Sequence, residues 1–224
     1  MSSWEWDWEC GRWGQGIGGS RYLPHVSTTS ADPTRGWVRG FLVSLGFVAL
    51  LWVSEIADAI SGGSLDQYGI RPRSEDGLVG IAAAPLLHGG FTHLEANSVP
   101  LLVLGFLVAA VSMARYVAVL AWSWVVSGVG VWLVAPDNSL TIGASGLVFG
   151  LLTYLMVAGF LERNPVRILV GVAVFILYGS VLLGVLPGQP GVSWQGHLFG
   201  AVGGVLAAYS LAGNRRRPRR QGSL

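Results

Sequence analysis

Lysine is absent from this 224-residue chain, so all fourteen basic residues are arginine. Charge of either sign is scarce. Asp, Glu, Lys and Arg together make up 12% of the residues, against roughly 25% in an ordinary soluble domain. That deficit argues against a water-soluble globule and for a chain that lives in a bilayer. The single cysteine, Cys10, excludes an internal disulfide. It falls in an arm expected to be cytoplasmic, where a reduced thiol is the ordinary state. The first twenty residues carry Trp, Glu, Asp and Gly and no continuous apolar core, so no secretory signal peptide is expected.

Apolar residues are what the chain has in abundance, at 52%. Runs approaching the ~20 residues needed to cross a bilayer lie at 37–60, 93–113, 116–134, 145–161, 166–185 and 197–212. The fourth and sixth are short and Gly-rich. The expected fold is therefore an all-α membrane protein with six transmembrane helices and both termini on one side. Charge orients it. With the N-terminus inside, the cytoplasmic segments hold Arg12, Arg21, Arg35, Arg39, Arg115, Arg163, Arg167 and the five arginines of the tail. The external loops hold only Arg71 and Arg73. The positive-inside rule then predicts cytoplasmic N- and C-termini.

Residues 1–36 form a polar cytoplasmic arm, expected to be disordered, which opens on alternating Trp4-Glu5-Trp6-Asp7-Trp8-Glu9 and carries His25 as an ordinary solvated histidine. Residues 37–212 form the six-span domain. Residues 213–224 form a basic tail that anchors the topology and touches anionic lipid; without interleaved aromatics it is not a nucleic-acid site. The first external loop, about 61–92, is the longest. It turns apolar at 77–87, as a segment dipping into the outer leaflet would. Asp137-Asn138 and the Pro187–Gly191 stretch mark turns.

Polar residues at membrane depth are functional candidates by default, and here they are few: His88, His93, Asn97, Ser145 and His197, with Glu95 at a similar level. Spans two, four and six all run from outside to inside. His93 and Asn97 lie in the first turns of span two, Ser145 opens span four and His197 opens span six. Three helices thus present polar residues at one level, just below the external surface. Their N-terminal ends converge there with unpaired N–H groups and positive dipole ends, a field suited to an oxyanion. His93 and Asn97 are spaced i, i+4 and share a face. Glu95 faces elsewhere.

An alcohol and an imidazole are the minimum equipment for nucleophilic catalysis. They need close helix approach, which small residues permit. Gly146 and Gly150 form a GxxxG on span four, and Gly196, Gly200 and Gly204 repeat the spacing on span six. Phe149, four residues after Ser145, either packs on the imidazole or simply fills the core. No carboxylate completes a triad, so the unit reads as a Ser–His dyad with the ring oriented by packing. Asp137 reads as a turn residue. Two other readings stay open. His88, His93 and His197 could hold zinc, although there is no HExxH pairing and Gly143-Ala144-Ser145-Gly146 would be unexplained. Alternatively, the histidines are structural groups of a transporter or scaffold, His88 above all, although no inverted repeat with broken helices is evident.

At these residues the chain resembles the rhomboid intramembrane serine proteases over 37–212. The family pattern of a histidine followed by His-x-x-x-Asn matches His88 and His93-Leu94-Glu95-Ala96-Asn97. Gly-x-Ser-Gly matches Gly143-Ala144-Ser145-Gly146, and His-x-x-Gly-x-x-x-Gly matches His197 through Gly200 to Gly204. The resemblance implies a Ser145 nucleophile, a His197 general base, and an oxyanion hole of the His93 and Asn97 side chains with the Ser145 N–H. It also implies a lateral gate near span five, a water-filled cavity open to the outside, no metal or organic cofactor, and single-span membrane proteins as substrates. The family's frequent Trp-Arg pair in the first external loop is missing; Arg71-Pro72-Arg73 stands in that territory. A frequent Tyr after the nucleophile is Phe149. A non-catalytic membrane-protein binder on the same fold is the rival function.

Overall fold

Long apolar helices build the architecture, joined by connections that range from the single residue Ser112 to the segment 61–90. The computed structural model describes residues 33–213. The Trp-rich arm with Cys10 and His25, and the arginines of the basic tail, lie outside the described residues. The described residues are all-helical: α1 (Pro33–Ile60), α2 (Asp76–Ala83), α3 (Phe91–Val111), α4 (Met113–Val134), α5 (Ser145–Leu161), α6 (Pro165–Tyr178) and α7 (Trp194–Gly213). Short 3₁₀ turns occupy Asp66–Tyr68, Ala84–Leu86 and Gly179–Val185. Among the described residues five stretches are long and apolar enough to cross a membrane: Thr34–Ile60, Phe91–Val111, Met113–Val134, Pro165–Val185 and Trp194–Gly213. The apolar α5 is shorter, at 17 residues.

Local chemistry sets the helix ends. Ser112, in extended conformation, closes α3 and accepts a hydrogen bond from the Arg115 N–H, so α4 begins at once. Asn164 accepts from the Arg167 N–H, and Pro165 follows as the first residue of α6, a position where its missing N–H costs nothing. Helix α7 begins at Trp194, one turn earlier than the apolar run at His197 suggests. Ser193 Oγ accepts from the Gly196 N–H at 3.3 Å, a capping bond that lets Trp194, Gln195 and Gly196 join the helix.

Helix α7 packs against both α4 and α5, α1 packs on α3, and α6 sits against α5. Leu51, Leu94, Leu104, Val119, Leu147, Leu151, Leu152 and Ala207 are fully or almost fully buried between these helices. Large apolar side chains such as Trp37, Val53, Leu169, Phe175 and Ile176 face outward, as expected where lipid is the solvent. Lipid tails are as apolar as leucine, so helix association relies on close backbone packing and interhelical hydrogen bonds. Both are present around α7. A Cβ at Gly200 would meet the Gly146 backbone, and one at Gly204 the Gly150 backbone. Thr153 Oγ1 donates to the Ala201 carbonyl at 2.8 Å, and Ser127 Oγ to the Gly196 carbonyl at 2.9 Å.

The segment between α1 and α3 is fastened onto this frame. Ile70 and Thr141 exchange two backbone hydrogen bonds of 2.9 and 3.0 Å. Trp124 Nε1 donates to the Ile81 carbonyl at 2.9 Å and Trp132 Nε1 to the Ser74 carbonyl at 3.0 Å. Arg73 reaches across to Asp137 and to the Leu133 and Ala135 carbonyls. Asp137 is thus an anchor as well as a turn residue, holding the connection that leads into α5.

Candidate active site

Ser145 is the first residue of α5. Its approach is set by Gly143, whose φ of +116° lies where side chains are strained. The Gly143 N–H donates to the Ala84 carbonyl at 2.8 Å. A Cβ at Gly143 would stand 2.6 Å from Cε1 and 2.7 Å from Nε2 of His93. Glycine is therefore required twice, for the backbone angle and for the imidazole lying against it. The N–H groups of Ser145 and Gly146 belong to the first turn of a helix and have no acceptor four residues back within it.

His197 Nε2 lies 2.9 Å from Ser145 Oγ. The opposite ring nitrogen, Nδ1, lies 2.9 Å from the Gly184 carbonyl. A carbonyl can only accept, so Nδ1 carries the proton and Nε2 presents its lone pair to the serine hydroxyl. The Phe149 ring stacks on the imidazole at 4.2 Å between centroids and 13° between planes. Packing alone therefore does not orient the ring: a backbone hydrogen bond fixes its tautomer, the part that an acid plays in a triad. Nothing in the sequence marks Gly184, because the group that acts is a main-chain carbonyl.

His93 and Asn97 lie one turn apart on α3. Asn97 is buried, and its Nδ2 donates to the His93 carbonyl at 3.0 Å, leaving its second amide hydrogen for another acceptor. Glu95 is exposed, away from these groups. His88 sits behind them, 1% exposed. Its ring meets that of His93 edge-on at 5.1 Å, and its Nε2 accepts a long, 3.4 Å hydrogen bond from the Ala144 N–H. Burial, and secondarily His93, pushes the His88 pKa down to about 4. The neutral ring is thus the form that holds Ala144, next to the serine.

His93, Asn97, Ser145, Phe149 and His197 all line one cavity of about 790 Å³, bordered also by Trp194, Gln195 and Val181. Gly146 and Gly200 lie beneath, where α5 and α7 touch backbone to backbone, and Gly204 repeats the contact one turn further on. Of the three histidines of the zinc alternative, His88 is engaged with Ala144 and His197 with Gly184 and Ser145, while the His93 ring lies against His88. Among the described residues no group of three His, Cys, Asp or Glu is placed to hold a metal ion. Ser127 and Thr153, which bond to α7 carbonyls, escaped the sequence reading. Polar or small residues at helical spacing facing the Gly-rich span were the available signal.

Comparison with known proteins identifies the family. The rhomboid domain family matches residues 75–214. An uncharacterized protein of Mycobacterium tuberculosis is 47% identical over 204 residues, covering 88% of this chain and 85% of that one. An uncharacterized protein of Mycobacterium leprae is 45% identical, over 88% and 81% of the two chains. A Bacillus subtilis protein named "Putative rhomboid protease YdcA" is 31% identical over 59% of this chain and 66% of its own. With its apolar helices, and with the family match spanning Ser145 and His197, the chain is a multi-pass membrane protein that belongs to the rhomboid family.

Proposed function

We propose that this protein is an intramembrane serine endopeptidase that cleaves single-span membrane proteins in or near their transmembrane segment. The observation that carries the reading is the 2.9 Å contact between Ser145 Oγ and His197 Nε2, within hydrogen-bond reach for a nucleophile and its base. Ser145 Oγ attacks the scissile carbonyl as its proton passes to His197 Nε2. Negative charge grows on the carbonyl oxygen, where the Ser145 N–H, the second amide hydrogen of Asn97 and His93 are the available donors. His197 then gives its proton to the leaving amine, and the acyl-enzyme forms. Water, deprotonated by the same imidazole, attacks the ester and frees Ser145. Every step uses groups of this chain and water.

The bilayer placement follows from helix lengths and charge. Helix α5, as a sixth span, is about 25 Å long at 1.5 Å per residue, short of a ~30 Å hydrocarbon core. Its Ser145 end therefore lies below one surface. Among the described residues, Arg35, Arg39, Arg115, Arg163 and Arg167 cluster at the opposite end of the bundle, with Glu162 as their sole acidic companion. The positive-inside rule puts that end in the cytoplasm, so the serine faces the external leaflet and both termini are cytoplasmic. The apolar α2 packs on α4, and the turn after it on α1 and α5, as a loop lying in the outer leaflet would.

The test is cleavage of a single-span substrate in liposomes by the wild type, Ser145→Ala and His197→Ala. Loss of cleavage in both variants, with activity retained under a strong chelator, is expected. If the wild type is silent and a fluorophosphonate fails to label Ser145, the proposal fails and a non-catalytic binder of membrane proteins takes its place.

A further inference from the structure

The end of the bundle away from Ser145 holds a second polar assembly, independent of the protease reading. Arg115 of α4 and Arg167 of α6 both pair with Glu162, at the end of α5. Arg115 also donates to the Tyr154 hydroxyl at 2.8 Å. The side chains are 9% exposed for Arg115, 22% for Arg167 and 4% for Glu162. Two guanidinium groups on one carboxylate leave a net positive charge in a largely buried setting, where an uncompensated charge is costly.

The helix ends do not supply the missing anion. The N-termini of α4 and α6 lie here beside the C-termini of α3 and α5, so dipole ends of both signs meet and largely offset one another. Each arginine is also the third residue of its helix, where a cation is unfavourable to the dipole. No other described acidic residue stands at this end of the bundle.

A cavity of about 380 Å³ opens beside these groups, lined by Trp37, Arg115, Tyr154, Asn164, Arg167 and Val170. Its polar side is cationic and the rest is apolar. Val166 of α6, which lines the cavity, and Leu169 beyond it are both exposed, giving a hydrocarbon chain a surface to follow. Neither a free ion nor a hydrocarbon alone matches both halves. Basic pockets between transmembrane helices on the cytoplasmic side suit lipid phosphates.

We propose that this cavity binds the phosphodiester of an anionic phospholipid, with Arg167 and Arg115 as its cationic partners and the acyl chains lying along α6. The lipid would supply the charge that Glu162 alone cannot, and would brace α6 against α5. The site is separate from the Ser145 cavity and does not depend on catalysis.

Native mass spectrometry and thermal melting of the full chain in detergent test this, with phosphatidylglycerol, phosphatidylcholine, glycerol 1-phosphate and inorganic phosphate as probes. Phosphatidylglycerol is expected to bind and raise the melting midpoint, and the other three not to. Arg167→Gln should weaken phosphatidylglycerol binding at least tenfold. Arg163→Gln, which alters an exposed arginine outside the cavity, should not. Arg167→Lys keeps the charge and should recover part of the affinity, which guards against a misfolded Gln variant. Equal binding of phosphatidylcholine overturns the proposal, as does protection by the water-soluble phosphates alone. Unchanged phosphatidylglycerol affinity in Arg167→Gln also overturns it, since arginines elsewhere would then hold the lipid.

Discussion

The Gly184 carbonyl holds His197 by Nδ1, thirteen residues away in sequence and 2.9 Å in space. This contact leaves Nε2 as the basic nitrogen facing Ser145. It also makes a main-chain atom of the 3₁₀ turn after α6 part of the proposed catalytic geometry. A Cβ at Gly184 would stand 2.9 Å from His197 Nδ1 and 3.0 Å from Phe149 Cζ. Both contacts are with the stacked rings of His197 and Phe149.

Gly184→Ala is therefore expected to tilt the imidazole and lower kcat by roughly tenfold or more, in line with the sensitivity of catalysis to small misplacements. KM and the melting midpoint should hardly change. Steady-state cleavage with a parallel melt checks this, and an unaltered kcat would remove Gly184 from the orienting role.

On the proposed mechanism, Asn97→Ala removes one donor to the developing oxyanion. The expected loss is about 2.7–4 kcal/mol in activation free energy, a factor of ~10²–10³ in kcat, with the fold intact. A rate within a few-fold of wild type at equal thermal stability would take Asn97 out of the oxyanion site.

Gly200→Val places branched carbons where the Gly146 backbone already lies. Overpacking of a close-packed contact costs about 1–3 kcal/mol. Here the neighbour is main chain that cannot swing aside, so the upper part of that range is expected. The melting midpoint should fall, and Ser145 should lose fluorophosphonate reactivity as α5 and α7 separate. Normal labelling with a normal melt would contradict the close-approach argument.

His88 gives the protein an acid-sensitive joint. Its folded pKa of about 4 lies below the ordinary value of 6.5. Above pH 6.5 the ring is neutral in both folded and unfolded chains, and its contribution to stability is complete. Between pH 6.5 and about 4 the unfolded chain takes up a proton that the folded chain refuses, so stability falls as pH falls. The span corresponds to roughly 3 kcal/mol. Melting midpoints measured across that window should decline, and His88→Gln should flatten the decline. An equally steep decline in the variant would show that other groups carry it.

Much of this molecule was legible before any coordinates. Charge scarcity and apolar run lengths require helices in a bilayer, because only intrahelical hydrogen bonds satisfy a single segment's backbone there. Antiparallel alternation of the expected spans predicts one level for Ser145, His93, Asn97 and His197, and the four line one cavity. The glycine spacing on α5 and α7 announces close approach. Less was legible at the helix ends. The apolar pattern starts α7 at His197, but a Ser193 cap recruits Trp194, Gln195 and Gly196, and hydropathy has no term for a capping bond.

What only the tertiary structure decided are contacts between main chain and side chain, or between distant charges. A carbonyl is present at every position, so no residue type marks the one at Gly184 that fixes the His197 tautomer. Asp137 looks like any turn aspartate until Arg73 is found against it. Glu162 looks like a surface charge until Arg115 and Arg167 close over it. Sequence determines periodicity, polarity and depth, because these are properties of one segment in its solvent. The partner of a particular atom depends on how separate segments meet, and that is settled only when the helices pack.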